Sequence, residues 1–312
     1  MGFIGTRKNV ASRLAPQLDD AVLGRVLKNL GSARGLGPQD LAIAQVEQLL
    51  HDTGDDWDRR GHRVVVLAQA APFLVRTWQR RQPSNPNALT LQAWVDVVFG
   101  RAAGRLDDPR TTLDTCRRAV DACPADPTPV VALFAAMRLA GRPISEIAPV
   151  WQEISDRDLW NREAHLQALG YLSPEEQGSH VALREFLDSV MAVMPLRAPP
   201  ASLSLSAAVQ QYHRELEAGG VRSLCAVRYW SQAHVASQLD RTMEQWLTPG
   251  FLTHAAAVAD LNLLAHALVH ARRISDAAPV LRATGRLVTA WPWQYDGNPV
   301  ERFDFWWRSS SA

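Results

Sequence analysis

Several residues and motifs that would fix a function class are scarce or missing. There are three cysteines, Cys116, Cys123 and Cys225, an odd number with no CxxC spacing, so neither a disulfide framework nor a cysteine zinc site is indicated. Lysine occurs twice against 31 arginines, and 33 basic with 32 acidic residues leave a net charge of +1. That balance removes the general electrostatic case for a nucleic acid or an anionic membrane as partner. The arginine excess reads as the bias of a GC-rich genome rather than as phosphate recognition, since Arg and Lys differ in chemistry but not in charge. No apolar run reaches a membrane-spanning length, and the stretch from Met1 to Leu18 holds none long enough for a signal peptide. A cytoplasmic setting is expected. There is no GxSxG elbow and no HExxH pair, and Gly35-Leu-Gly37 follows no strand and lacks the third glycine of a phosphate loop. No cofactor is expected.

Strand-favouring residues are sparse too, with six isoleucines and four tyrosines. In their place stand 45 alanines, 37 leucines and the 31 arginines, all good helix formers. Hydrophobic residues make up 47% and charged residues 21%, which suits a packed chain and excludes a disordered one. The composition predicts an all-α fold.

Proline and glycine punctuate the chain at the spacing of short helices joined by tight turns. A flexible N-terminus over 1–12 is followed by a predicted amphipathic helix from Leu14 to Leu30, with Leu14, Leu18, Val22 and Val26 on one stripe. Gly35-Leu-Gly-Pro38 ends it, Pro38 opens the next helix, and Pro72 must divide the one that starts after Asp55-Asp-Trp-Asp58. About a dozen helices follow in all. From His165 to Pro195 the chain nearly follows the tetratricopeptide (TPR) order, with Leu169-Gly170, Ala182-x-x-x-Phe186 and Pro195. Gly170 and Ala182 are the small residues that would let two antiparallel helices touch. A second unit, Leu261, Leu264, Ala265, Leu268, Ala277 and Leu281, keeps the same offsets, whereas the pair 128–154 fails at Glu146. The predicted architecture is a degenerate TPR-like solenoid of antiparallel helix pairs, with an irregular helical bundle as the alternative. Its parts are a helical extension over 13–83, repeats over 84–290 and an aromatic capping helix over 291–312.

Asp56-Trp-Asp-Arg-Arg60 with His62-Arg63, Asp126-Pro-Thr-Pro129, Asn161-Arg-Glu-Ala-His165, Gly178-Ser-His180, Asp260-Leu-Asn262 and Trp291-Pro-Trp293 occur in one order across most of the chain. Together they resemble a group of uncharacterised TPR-like helical proteins of actinobacteria. The resemblance implies an all-helical fold and a bacterial cytoplasmic setting, and it carries over no catalytic residue.

Four constellations could bear chemistry. Asp55, Asp56 and Asp58 could hold Mg²⁺, but a second metal motif is missing and a helix N-terminus explains them better. His266 and His270, four apart on a predicted helix, share a face, yet a zinc site needs a third or fourth ligand that spacing does not supply, so no metal is expected. Ser179 reads as the cap of the helix starting at His180. His165, His180, His213 and Glu215 would form an acid–base group only if the fold brought them to one pocket. Finally, Trp291, Trp293, Trp306 and Trp307 with Tyr295, Phe303 and Phe305 crowd the C-terminal end, where a terminal cap is favoured over an aromatic binding groove.

The function expected is that of a protein- or peptide-binding scaffold without catalysis, whose groove is lined by Asn262, His266, His270 and Trp293. The alternatives are a small-molecule-processing enzyme built on His165, His180, His213 and Glu215, and a structural oligomer subunit. A protein or peptide partner is expected, with a possible homo-oligomer and neither nucleic acid nor membrane.

Overall fold

A computed structural model describes residues 11–32 and 39–310. Among these, sixteen α-helices and two strands of two residues each make the chain all-α. It divides into two compact units, one formed by residues 20–203 and the other by the N-terminal segment up to Asp19 together with residues 204–312. None of the expected boundaries, after residues 12, 83 and 290, falls at this division. Sequence patterning missed it because no composition shift or linker marks the junction, which lies at the very start of a helix.

The 20–203 unit holds α1 (Ala21–Ser32), α2 (Gln39–His51), α3 (Trp57–Ala70), α4 (Pro72–Arg81), α5 (Pro86–Ala103), α6 (Pro109–Ala122), α7 (Thr128–Leu139), α8 (Ile144–Arg157), α9 (Arg162–Tyr171) and α10 (His180–Val193). Its caps are written in the sequence. Asn85 before Pro86 and Asp108 before Pro109 each accept two backbone N–H bonds of the helix they open, while proline fills the position that needs no donor. Asp56 caps α3 by accepting from the Arg59 N–H, and Ser179 caps α10 by accepting from Ala182. The acidic cluster therefore starts a helix, as its spacing suggested. Pro72 does divide α3 from α4.

At the centre lies α7, in which every residue from Thr128 to Met137 is buried. A helix apolar on all faces must be surrounded by others, and α3, α5, α6, α8 and α9 all pack against it. The ends of these helices are tied by one buried ion pair. Arg60 Nε donates to Asp126 Oδ2 at 2.5 Å, its other nitrogens reach Asn87 Oδ1 at 2.8 Å and the Leu50 carbonyl, and Asp126 Oδ1 accepts from the Thr128 N–H at 2.8 Å. Two of the segments noted in the sequence, 56–60 and 126–129, thus touch each other in the core.

The second unit contains β1 (Arg13–Leu14), α11 (Leu203–Glu217), α12 (Gly220–Ala226), α13 (Ala233–Trp246), α14 (Ala257–His270), α15 (Ile274–Ala283), β2 (Leu287–Val288) and α16 (Pro299–Ser309). β1 and β2 pair in parallel, Arg13 opposite Leu287 and Leu14 opposite Val288. Its central helix is α14, buried at Val258 and throughout Asp260–Val269. Trp293 and Phe303 are fully buried beside it, with Trp291, Trp306 and Trp307 packed on the same core. Five of the C-terminal aromatics thus belong to the core of this unit, while Tyr295 and Phe305 are exposed.

Two local expectations are corrected. The helix predicted from Leu14 begins only at Ala21, because Leu14 is in β1 and Leu18 takes a positive φ of 53° that breaks any helix through it. The stripe of apolar residues at helical spacing was coincidental there. The actual start is set by Asp20, whose carboxylate accepts from the N–H groups of Val22 and Leu23. In the 165–195 segment, Gly170 does face a close neighbour, but that neighbour is α7. A Cβ at Gly170 would lie 2.0 Å from Arg138 Nη2, whereas Ala182 and Phe186 are only half-buried. In the α14–α15 pair Ala265 and Ala277 are both fully buried. The turn at 35–38 lies outside the described residues, as does most of the 1–12 segment.

Removing one partner of a buried ion pair leaves the other charge uncompensated, at a cost of about 3–5 kcal/mol. Asp126→Ala is therefore expected to lower the urea stability of the 20–203 unit by about that amount, followed by tryptophan fluorescence of the whole chain. A loss no greater than that of an exposed Asp→Ala change would refute the bracket.

Candidate functional site

The four residues considered as an acid–base group are divided between the two units. His165 and His180 belong to the 20–203 unit, His213 and Glu215 to the other. His180 is exposed at the start of α10. His165 is buried, donates from Nδ1 to the Asn161 carbonyl at 2.8 Å and is enclosed by Trp151, Trp160 and Phe186. Glu215 accepts from Gln211 one turn back along α11.

The expected groove on α14 is corrected as well. Asn262 is fully buried, and both ends of its amide are engaged. Nδ2 donates to the carbonyls of Val258 and Leu287, each at 2.9 Å, while Oδ1 accepts from Trp293 Nε1 at 2.9 Å. Asn262 and Trp293 therefore hold the unit together and present nothing to a ligand. The physical reason is that α14 is enclosed on all faces, so it has no open concave side.

What the fold does bring together is a group split between two categories in the sequence. His213 of α11, His266 and His270 of α14, and Asp296 of the turn before α16 each offer a ligand atom, and these atoms all lie within 4.8 Å of one another. Asp296 Oδ2 stands 2.9 Å from His270 Nε2 and 3.3 Å from His266 Nε2. Tyr212 Oη lies 3.2 Å from the other ring nitrogen of His270, and Tyr295 stacks on His213 with centroids 4.0 Å apart and planes within 9°. His266 is fully buried, and neither of its ring nitrogens makes a hydrogen bond of good geometry; His213 Nε2 is likewise buried without one. The Asp260 and His254 side chains form a separate buried contact at 3.2 Å.

Burial dominates the electrostatics. It pushes the His266 imidazole down to about 3 and the His213 imidazole down to about 4, with the neighbouring His270 adding repulsion in both cases. Burial alone would raise the Asp296 carboxyl, but the imidazoles of His266 and His270 outweigh it and hold it well below the usual carboxylate range. A carboxylate is thus kept ionised beside the His213 and His266 imidazoles, whose charged forms burial disfavours, the protonation states in which these groups act as ligands. The pair His266 and His270 was visible in the sequence. Asp296 was not, since a lone Asp after Trp293-Gln-Tyr carries no local signal, and His213 was noted for a different partnership.

A second feature is exposed. In the 20–203 unit a cleft of about 300 Å³ between α5 and α6 runs into a shallower one of about 710 Å³ along α4, the two sharing Arg76, Gln79 and Gln92. Phe73 at one end is 81% exposed and Phe99 at the other 47%. Asp96 sits in the deeper part, accepting from Gln92 and Thr112, and burial raises its carboxyl. No histidine lines either cleft.

No family model, curated protein or solved structure matches the chain. The geometry of the two sites therefore has to carry the functional reading.

His165 gives the 20–203 unit a pH dependence of definite sign. Burial lowers its pKa in the folded chain, so as pH falls below about 6.5 the unfolded chain takes up a proton that the folded chain refuses, and stability is lost. His165→Phe should therefore gain melting temperature relative to wild type as pH is lowered from about 7.5 to 5. A difference between the two proteins that stays constant with pH would show that His165 is not held neutral by its surroundings.

Proposed function

We propose that the protein is a TPR-like helical binding protein without catalysis of its own, which holds an extended segment of a protein partner in the cleft along α4, α5 and α6. The observation that supports this most directly is the cleft itself, continuous and flanked by two exposed phenylalanines on a frame of packed helices. Isolated exposed apolar residues need no explanation, but aromatics at both ends of one polar cleft provide anchors of the kind that dominate peptide affinity. Arg80 lines only the Phe73 part and Asp96 and Asp107 only the Phe99 part, with Arg76 shared between them. An occupant with an acidic residue near Phe73 and a basic one near Phe99 would match them, and such complementarity sets orientation more than affinity.

The TPR-like reading draws support from the α14–α15 pair, where Ala265 and Ala277 are buried as a close helix contact needs. The proposed setting is the reducing cytoplasm of a bacterium, with which the free Cys116 and Cys123 agree.

The test is peptide selection on the intact protein from a random display library. Peptides enriched on wild type should bind Phe73→Ala and Phe99→Ala at least about tenfold more weakly, the effect of losing one or two aromatic anchors, with unchanged melting temperature. Reversing charge with Arg76→Glu should change which peptides are selected. Enriched peptides that bind all three variants as well as wild type, or no enrichment at all, would refute the proposal.

A further inference from the structure

We propose that His213, His266, His270 and Asp296 bind a single zinc-class divalent cation that ties α11, α14 and the turn before α16 together. The inference is independent of the peptide cleft, which lies in the other unit.

The first ground is the orphaned nitrogens. A buried imidazole with no partner costs about 1–3 kcal/mol for each unsatisfied group, and folded chains seldom carry such groups without a reason. Here His266 Nδ1 and His213 Nε2 are in that state inside one cluster, and His266 Nε2 has only the approach of Asp296 Oδ2 at 3.3 Å. A cation among them would engage one ring nitrogen of His213 and one of His266 at once.

The second ground is spacing. At metal–ligand distances of about 2.0–2.1 Å, neighbouring ligand atoms of a tetrahedral zinc site stand about 3.3 Å apart. Asp296 Oδ2 stands 2.9 Å and 3.3 Å from the two α14 imidazoles. The remaining separations reach at most 4.8 Å, so a modest inward movement of side chains closes the polyhedron.

The third ground is the support behind the ligands. Metal-bound histidines characteristically engage their second nitrogen with an oxygen, which fixes ring orientation. His270 has Tyr212 Oη at 3.2 Å in that role. Tyr295 stacks on the His213 ring and sets its plane. The turn that carries Asp296 is held by Trp293 Nε1 on Asn262 and by Arg302 Nε donating to the Asp296 carbonyl at 2.7 Å. Ligands positioned this way need little rearrangement to bind.

Donor chemistry selects the ion. Three imidazoles and one carboxylate suit Zn²⁺ and its first-row neighbours and not Mg²⁺ or Ca²⁺, which take oxygen ligands. Four protein ligands complete a tetrahedral shell, the arrangement of structural rather than catalytic zinc. The cation's role in this reading is to fasten three elements far apart in the chain.

The experiment uses the full-length protein, stripped with a chelator and titrated with Co²⁺ as a spectroscopic probe, then with Zn²⁺. The expected result is one equivalent of Co²⁺ with the intense visible bands of tetrahedral coordination, displaced by Zn²⁺, and a rise in melting temperature on Zn²⁺ addition. Asp296→Asn and His213→Ala should each weaken binding at least about a hundredfold, and Tyr212→Phe by about ten- to a hundredfold with the band positions kept. His234→Ala, which removes an exposed imidazole of α13, should change nothing. Wild-type protein that shows neither tetrahedral bands nor a Zn²⁺-dependent rise in melting temperature overturns the proposal, a result that does not depend on any variant folding. So does binding that survives Asp296→Asn and His213→Ala or vanishes with His234→Ala, since the ion would then sit on surface histidines.

Discussion

The amide of Asn262 is the interaction on which most of the 204–310 region depends. It sits in the middle of a helix buried on every side, where an unpaired polar group is costly, and its partners lie far along the chain. By donating to the Leu287 carbonyl it fixes β2, and by accepting from the Trp293 indole it fixes the turn that leads to Asp296. The position of the carboxylate against His266 and His270 follows from this, because Asp296 is three residues beyond the anchored tryptophan. The strand at Arg13–Leu14 follows as well, because β2 is its only strand partner among the described residues.

The two units solve the same packing problem in different ways. Each is built around a helix buried on all faces, α7 in one and α14 in the other. In α7 the polar work is done at the helix start, where Asp126 takes Arg60 and the Thr128 carbonyl accepts from the Trp94 indole at 3.1 Å. The interior of α7 is purely apolar. In α14 the polar residues Asp260, Asn262 and His266 stand within the buried stretch. A buried polar residue in mid-helix is demanding to satisfy, and it is where a fold concentrates specificity or function. The first unit keeps its polar cleft on the outside, and the second keeps its polar cluster within.

Much of the fold was legible because helix formation is governed locally. Asn85-Pro86, Asp108-Pro109 and Ser179 announce helix starts, and Pro72 announces a break, through hydrogen bonds made within a few residues. Leu14–Leu30 misled because apolar spacing says nothing about the backbone at Leu18. The candidate sites were harder. Spacing placed His266 and His270 on one face, but whether that face meets solvent or the core depends on what packs over it. Asp296 and His213 reach the cluster only through tertiary structure. Four of the six segments singled out in the sequence proved to be contact pairs, Arg60 with Asp126 and Asn262 with Trp293, so these report on packing.

The pairing of Arg13–Leu14 with Leu287–Val288 makes the second unit discontinuous, with the whole of the 20–203 unit lying between its two pieces in sequence. During synthesis the N-terminal strand emerges first, yet its partner emerges only after nearly all of the chain. Domains fold as units as they leave the ribosome, and contacts between distant segments carry the larger loop-closure entropy. The 20–203 unit, which is continuous in sequence, can form while the early strand waits. The order of assembly is written into the topology, inner unit first and outer unit last.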